Sequence, residues 1–362
     1  MSAGDYLKGA WDATESAVQS GMDAASAAIG HVEDAAVATG QAILTGVKAA
    51  VVLSQAPTYV AAQVAALIYT KVSQAFSSEP VSGAVASCSL SNQQRLANSL
   101  AGDENLLAKA AQRGLQNNPN VVALQKAATA KAQALMSDDV YNDTGAIQIP
   151  GYQRMTNAQI DQLMGPGASS AFISSSPNFH AALYASQSSP PQYTLAFRGT
   201  DPSQMNDVAT DLNNALGLQT GAYSNAIRLA NSVDRAVARV PGATMEVTGH
   251  SLGGGLAQAA SAETGAQGNI FNAAGYDPDT FPQTSGADTE QDLTNYHVAG
   301  EPLTTLQNSV VGVPAASAQQ VSIPGPANAS LLGLHSMDSV ESGMTSTASG
   351  PESAVRQLVS GP

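Results

Sequence analysis

The sequence predicts an α/β fold with a mainly parallel central sheet, preceded by an α-helical N-terminal region. From Ser169 onward, short apolar runs alternate with helix-favouring runs, and this alternation is typical of βαβ units. Residues 1–80 differ, because their apolar residues recur at spacings of four and three, which is the period of a helix face. A chain of 362 residues is long enough for one large core with an appended region.

Changes in composition divide the chain into four expected regions. They are a helical N-terminal region over 1–80, a linker with helices over 81–140, an α/β domain over 141–342 and a flexible tail over 343–362. The stretch from Ser77 to Ser91 is rich in Ser, Pro and Gly, as linkers are. Two helices without a chemical motif are expected after it, over Asn92–Leu115 and Asn120–Met136. The Ser- and Gly-rich C-terminal end predicts a loose tail.

Within the α/β domain, strands and helices are expected to alternate. The expected strands are Phe179–Tyr184, Tyr193–Phe197, Met245–Thr248, Asn269–Asn272 and Asn295–Val298, and the expected helices are Tyr223–Val240 and Leu252–Glu263. This succession predicts parallel pairing with right-handed crossovers. In such sheets the reactive groups gather at the carboxyl ends of the strands.

The charge and cysteine content exclude several classes of function. The formal net charge is -14, and residues 141–362 contain 6 Arg and no Lys against 17 Asp and Glu. Nucleic-acid binding needs clustered cations, so we expect no nucleic-acid partner. The single cysteine, Cys88, excludes an internal disulfide and a cysteine metal cluster. No HExxH, phosphate-binding or dinucleotide-binding motif is present, so we expect neither a metal nor a cofactor.

The N-terminal region has no pattern of a cleavable signal peptide, because Met1–Leu7 is interrupted by polar and acidic residues. Residues 49–70 carry no charge and have the length of a membrane span. Pro57 and several polar residues interrupt this segment, so a buried helical hairpin is expected in preference to a membrane helix. The region as a whole is expected either to cover the main domain or to serve as an export, membrane or partner module.

The strongest motif is Gly249-His250-Ser251-Leu252-Gly253. A β-favouring run precedes it and an alanine-rich, helix-favouring run follows it. This is the context of a nucleophile elbow, in which the serine lies on a sharp strand-to-helix turn with its hydroxyl exposed. Glycine is expected at positions 249 and 253 because such a turn leaves no room for β-carbons. Ser251 is therefore the candidate nucleophile.

A serine nucleophile needs a base and an acid that orients the base. When the nucleophile lies on such an elbow, the base follows both the serine and the acid in the chain, which leaves His297 and His335. His297 lies inside an expected strand and would point sideways from the sheet. His335 follows every expected strand and is the preferred base.

Two carboxylates follow expected strands between the serine and the base. Glu301 comes directly after the strand that ends at Val298, and Asp277 comes one strand earlier. Either one could orient an imidazole and offset its developing positive charge. Glu301 is preferred, with Asp277 as the alternative acid.

The oxyanion of an acyl-transfer reaction needs two backbone donors. One is expected from Leu252, which follows the nucleophile. The other is expected from Thr200, in the turn Phe197-Arg198-Gly199-Thr200 after an earlier strand. Arg198 is interpreted either as a brace of this turn through a carboxylate or as an ordinary surface residue.

Together these motifs resemble the class 3 lipases of the α/β-hydrolase fold. The resemblance covers about residues 175–340 and implies that 141–342 is an α/β-hydrolase catalytic domain, with Ser251 as nucleophile, His335 as base and Thr200 in the oxyanion loop. The family acid is usually an aspartate in an Asp-x-Val setting, whereas Glu301-Pro302-Leu303 stands here. Family members carry a lid after the oxyanion strand, which points to Asp201–Thr220 as a lid or as a plain helix covering the sheet.

The expected function is a serine ester hydrolase, a lipase that cleaves lipid acyl esters through an acyl-enzyme on Ser251. The expected partners are a lipid ester substrate and a membrane surface. One alternative is a phospholipase A1 acting as a secreted antibacterial or host-directed effector. Another is a non-catalytic membrane or partner-interaction protein with a hydrolase scaffold. The first 140 residues are similar to an appendage of some bacterial lipase-like effectors, which implies a secretion-machine or immunity partner bound through the N-terminal helices. The expected location is the bacterial cytoplasm, or outside the cell by a route that needs no signal.

Overall fold

The computed structural model describes residues 90–143, 145, 147–175, 178–200, 220–276, 293–309, 314–327, 329–347 and 349–360. Several expectations lie outside these ranges. They concern the N-terminal region and its partners, the uncharged segment 49–70, the lid stretch 201–219 and the alternative acid Asp277. Within the described ranges, no helix is both long and apolar enough to cross a bilayer.

The described chain alternates helices and strands. The helices are α1 (Asn92–Gln112), α2 (Pro119–Asp139), α3 (Asn157–Met164), α4 (Thr220–Val237), α5 (Leu252–Thr264), α6 (Pro302–Ser309), α7 (Leu331–His335), α8 (Met337–Thr347) and α9 (Ser349–Ser360). The strands are β1 (Tyr152–Arg154), β2 (Ile173–Ser175), β3 (Asn178–Ser186), β4 (Gln192–Phe197), β5 (Thr244–His250), β6 (Gln267–Phe271), β7 (Leu293–Val298) and β8 (Gln319–Ile323).

The strands form one sheet in the order β1-β3-β4-β5-β6-β7-β8, with β2 paired to β3. Strands β4 to β8 pair in parallel, whereas β1 to β3 form an antiparallel edge. The expected mainly parallel sheet is confirmed, and its mixed architecture fits an α/β-hydrolase-like fold. The register aligns the carboxyl ends of the parallel strands, since Phe197 pairs with Gly249 and His250 with Phe271.

Helices cover both faces of the sheet and bury two apolar clusters. Helices α3, α4 and α5 enclose one cluster, and α1, α2, α8 and α9 enclose the other. Small residues bring α5 close to its neighbours, because a Cβ on Gly254 would lie 2.5 Å from the Cβ of Ala273. A Cβ on Gly255 would likewise lie 2.5 Å from the Tyr223 hydroxyl. This close packing holds α5 firmly behind the turn that precedes it.

Helix α2 lies between the sheet and α1, and its polar side chains are buried with partners. Lys131 donates to Asp103 of α1 at 2.5 Å, and the hydroxyls of Ser137 and Thr248 of β5 are 2.9 Å apart. A buried polar group is costly unless it is hydrogen-bonded, so these pairs fix α2 on both neighbours. The sequence predicts this helix outside the catalytic domain, whereas the structure packs it directly on the sheet.

A flexible tail is expected over 343–362, whereas the described part of this range is helical. Helix α8 continues to Thr347 and α9 follows to Ser360. Val355 and Val359 recur at a spacing of four residues, and both are buried in the cluster around α1 and α2. This spacing produces an apolar stripe on a helix. Burial of the stripe stabilises the helix, although the Ser and Gly content of the segment alone predicts a tail.

A pair of carboxyl groups, of which Glu341 is buried and Asp138 half-buried, joins α8 to α2. Glu341 of α8 is buried and is hydrogen-bonded to Asp138, which also accepts from Gln93 Nε2 at 2.8 Å. Burial, followed by the charges of Asp138 and Asp338, raises the pKa of Glu341 from 4.5 to about 9. The folded state therefore holds a proton that the unfolded chain releases above about pH 4.5. The free energy of unfolding consequently falls as the pH rises from about 4.5 towards 9.

Glu341→Gln is expected to raise the free energy of unfolding at pH 8 by on the order of 1–3 kcal/mol, because glutamine donates to Asp138 without taking up a proton. Thermal unfolding from pH 5 to 9 measures the effect, which should vanish at pH 5. Glu352→Gln is the control, since its pair with Arg356 is a surface (i, i+4) pair. Equal stability of wild type and Glu341→Gln at pH 8 would contradict this account.

Candidate active site

Ser251 lies at the turn between β5 and α5, so the predicted strand–turn–helix context is confirmed. Its backbone has φ 56° and ψ -126°, a conformation that a non-glycine residue keeps only where its surroundings impose it. The Ser251 N–H donates to the Phe271 carbonyl at 3.1 Å, and the Ser251 carbonyl accepts from the Ala274 N–H at 2.9 Å. Strand β6 and the loop after it therefore hold the turn in place.

The glycines on either side of the turn allow a very close approach of backbone. A Cβ on Gly249 would overlap the Gly253 carbonyl, and a Cβ on Gly253 would overlap the Phe197 carbonyl. The expected requirement for glycine at these two positions is confirmed. The elbow is thus packed against the end of β4, which carries the predicted oxyanion turn.

His335 ends the short helix α7 and contacts Ser251. Its Nε2 lies 2.9 Å from Ser251 Oγ, and its Nδ1 lies 2.8 Å from Glu301 Oε2. The structure therefore brings the three predicted triad residues into one hydrogen-bonded chain. This geometry can transfer the hydroxyl proton to the imidazole while a carboxylate offsets the resulting charge.

Glu301 is fully buried at the start of α6. Its carboxylate accepts the backbone N–H of Leu303 at 2.9 Å and also that of Thr304, so it caps the helix as well as contacting His335. Burial raises the pKa of Glu301, but the hydrogen bonds from His335 and Thr304 outweigh burial and hold this pKa below its ordinary value. Pro302, at the first helical position, has no N–H that would need an acceptor.

The two predicted oxyanion donors lie on adjoining segments. Leu252 is the first residue of α5, where a backbone N–H has no intrahelical acceptor. The turn that precedes Thr200 packs on the elbow, because a Cβ on Gly199 would lie 2.6 Å from the His250 carbonyl oxygen. Thr200 itself is half-buried. Its role as a donor stays a prediction.

The remaining candidates lie in different surroundings. His297 is within β7, opposite Ser322 of β8, and its Nδ1 has no hydrogen-bond partner among the described residues. Asp277 falls outside the described ranges. The guanidinium of Arg198 lies 3.7 Å from the exposed carboxylate of Asp143, and its role as a brace of the oxyanion turn stays a prediction. Across the described ranges, no group of His, Cys, Asp and Glu side chains could hold a metal ion.

Three residues of the site were not predicted as functional from the sequence. His250 Nε2 lies 2.7 Å from the His335 carbonyl oxygen, His250 Nδ1 lies 3.0 Å from the Tyr141 hydroxyl, and Asn272 Nδ2 lies 3.1 Å from the same carbonyl. A polar residue at the carboxyl end of a parallel strand is a usable signal for His250 and Asn272. Tyr141 has no comparable signal, because it follows a helix without a motif.

The family follows from a comparison over most of the chain. Residues 132–353 match the model of the Tle-like phospholipase domain. The chain belongs to this phospholipase-like family. It is also 31% identical over 271 residues to the extracellular phospholipase A1 of Serratia liquefaciens, and the alignment covers 70% of this chain and 77% of that protein.

Membership of a phospholipase-like family supports lipid ester hydrolysis and a lipid substrate. The expectation of a phospholipase-like protein is confirmed at this level, while the narrower likeness to class 3 lipases stays a prediction. The matched residues begin inside α2 and end inside α9. They therefore include the turn with Ser251, the residues Glu301 and His335, and the helices α7 and α8.

Proposed function

We propose that the protein is a serine phospholipase A1, which hydrolyses the sn-1 acyl ester of a phospholipid through an acyl-enzyme on Ser251. The contact chain from Ser251 Oγ through His335 to Glu301 carries this proposal, with distances of 2.9 and 2.8 Å. The likeness to a protein named extracellular phospholipase A1 favours this activity over that of a triacylglycerol lipase.

In the first half-reaction, Ser251 Oγ attacks the ester carbonyl while His335 Nε2 takes the hydroxyl proton. The N–H groups of Leu252 and Thr200 stabilise the oxyanion. The tetrahedral intermediate then expels the lysophospholipid alkoxide, which takes the proton from His335. The acyl group stays on Ser251.

In the second half-reaction, water attacks the acyl-enzyme and gives its proton to His335. Collapse of the second intermediate releases the fatty acid and returns the proton to Ser251 Oγ. Throughout the cycle, Glu301 keeps the His335 Nδ1–H in place and offsets the positive charge of the imidazolium. Its buried position and lowered pKa suit this role, because the carboxylate stays ionised.

Vesicles of 1-palmitoyl-2-oleoyl phosphatidylglycerol test the proposal directly. The expected early products are palmitate and 2-oleoyl lysophosphatidylglycerol, quantified by mass spectrometry before acyl migration proceeds. Ser251→Ala, assayed at the same concentration, is the blank. Lipase activity is measured with trioleoylglycerol dispersed in the same amount of a phospholipid that the enzyme does not hydrolyse. Both substrates are then presented at a comparable lipid surface.

Predominant release of oleate from the mixed-chain lipid would contradict the assignment to the sn-1 position. Faster hydrolysis of trioleoylglycerol than of phosphatidylglycerol at a comparable lipid surface would instead favour a triacylglycerol lipase. Product formation equal in Ser251→Ala and wild type would overturn the serine mechanism itself.

A further inference from the structure

The backbone carbonyl of His335 is held by two side chains from neighbouring strand ends. His250 Nε2 approaches it at 2.7 Å and Asn272 Nδ2 donates to it at 3.1 Å. His335 ends the five-residue helix α7, and a turn at Ser336 separates it from α8. A short helix between two turns does not fix its last residue by itself. These two contacts act on the His335 main chain directly, at the point from which its imidazole extends.

The contacts of His250 define its tautomer. A carbonyl oxygen only accepts, so His250 Nε2 carries a hydrogen and donates it to His335. His250 Nδ1 then has a lone pair, which accepts the Tyr141 hydroxyl at 3.0 Å. Gly199 leaves room for this hydroxyl, because a Cβ there would lie 2.5 Å from it.

His250 is also kept neutral. Burial, and then the positive charge that His335 can carry, lower the pKa of His250 to about 3. The two rings are in contact, with centroids 5.0 Å apart. A neutral neighbour does not oppose the imidazolium that forms on His335 during the reaction, and a neighbour with both nitrogens engaged does not compete for the serine proton.

Asn272 connects the segment that carries His335 to β7, the strand that precedes Glu301. It follows β6 with φ 41°, and its Nδ2 donates to the carbonyls of Leu334 at 3.2 Å and His335 at 3.1 Å. Its Oδ1 accepts the N–H of Val298 at 2.8 Å, and Val298 ends the strand that leads into Glu301. One amide side chain therefore sets the spacing between the segment that carries His335 and the segment that carries Glu301.

We propose that His250 and Asn272 are positioning residues, which hold the His335 main chain so that its imidazole spans Ser251 and Glu301. The proposal rests on the proposed function, because it assigns these residues to the alignment of the same triad. It assigns no proton transfer to His250. Displacement of a reacting group by about 1 Å can reduce a rate about 100-fold, which is the scale expected here.

Two substitutions of His250 separate its two nitrogens. The amide nitrogen of glutamine reaches the place of Nε2 and can still donate to the His335 carbonyl, whereas that of asparagine reaches only the place of Nδ1. With phosphatidylglycerol vesicles, His250→Asn is expected to lower kcat about 10- to 100-fold with little change in KM. His250→Gln should stay within about threefold of wild type, since it keeps the donor.

Asn272→Asp provides an independent variant. Aspartate keeps the shape and the acceptor for the Val298 N–H, but it faces two carbonyls with an acceptor in place of a donor. A loss of kcat comparable to that of His250→Asn is expected. The downfield proton NMR signal of His335 Nδ1–H against Glu301 reports the alignment, and it should shift or broaden in both impaired variants and persist in His250→Gln.

The proposal is overturned if His250→Asn retains wild-type kcat, or if the Asn and Gln variants lose kcat equally with the NMR signal unchanged. Ser251→Ala is measured alongside them. Retained turnover in Ser251→Ala would overturn the proposed function. An inactive Ser251→Ala together with a fully active His250→Asn would overturn the positioning role alone.

Discussion

Ser251→Ala is expected to lower kcat for a soluble p-nitrophenyl acyl ester by about 10⁴- to 10⁶-fold. The substitution removes the hydroxyl that lies 2.9 Å from His335 Nε2, so no acyl-enzyme can form. The fold should be unaffected, because the strained backbone at φ 56° is held by main-chain hydrogen bonds of Ser251 that alanine also makes. Initial rates and thermal unfolding of the same preparations measure both quantities.

Ser261→Ala is the matched control for this variant. Ser261 lies in α5, the helix that follows Ser251, is fully buried, and its hydroxyl has no hydrogen-bond partner among the described residues. Its removal should leave kcat unchanged. A Ser251→Ala enzyme that folds and retains more than about a hundredth of wild-type kcat would remove Ser251 from the mechanism.

Glu301→Gln is expected to lower kcat by about 10³- to 10⁴-fold. The glutamine amide is uncharged and can turn its donor towards His335, so both the tautomer and the offsetting charge are lost. It also weakens the cap of α6, since Glu301 accepts the N–H groups of Leu303 and Thr304. We therefore expect a stability loss of about 1 kcal/mol as well, which thermal unfolding separates from the kinetic effect.

Asp277→Asn is the comparison that distinguishes the two candidate acids. It should change kcat by less than about threefold if Glu301 orients His335. A larger loss of kcat in Asp277→Asn than in Glu301→Gln would identify Asp277, which follows the preceding strand, as the acid. Steady-state rates with the same soluble ester, at a pH where both variants stay folded, decide between them.

The order of the motifs along the chain was sufficient to predict which side chains meet. A serine on an elbow, an acid after a later strand and a histidine after the last expected strand converge because parallel strands share one carboxyl end. Ser251, Glu301 and His335 are accordingly in contact. Glu301 stands where the resemblance to class 3 lipases implies an aspartate, and it contacts both His335 and the first turn of α6.

Other features could not be read from local sequence. Strand β8 reads Gln-Gln-Val-Ser-Ile and lacks the apolar run that predicted its neighbours, because it lies at the edge of the sheet and only Ile323 is buried. The helices after His335 are stabilised by packing on α1 and α2, which outweighs their Ser and Gly content. The contact of His250 with the His335 carbonyl joins residues 85 positions apart, a pairing that no local pattern specifies.

The most direct measurement is covalent labelling with a fluorophosphonate probe, followed by intact-mass and peptide mass spectrometry. Such probes phosphonylate a serine whose hydroxyl is activated by a neighbouring base. We expect one adduct per chain, located on Ser251 and absent in Ser251→Ala. A wild-type protein that stays unlabelled, or an adduct on another residue that persists in Ser251→Ala, would contradict the assignment of Ser251 as the nucleophile.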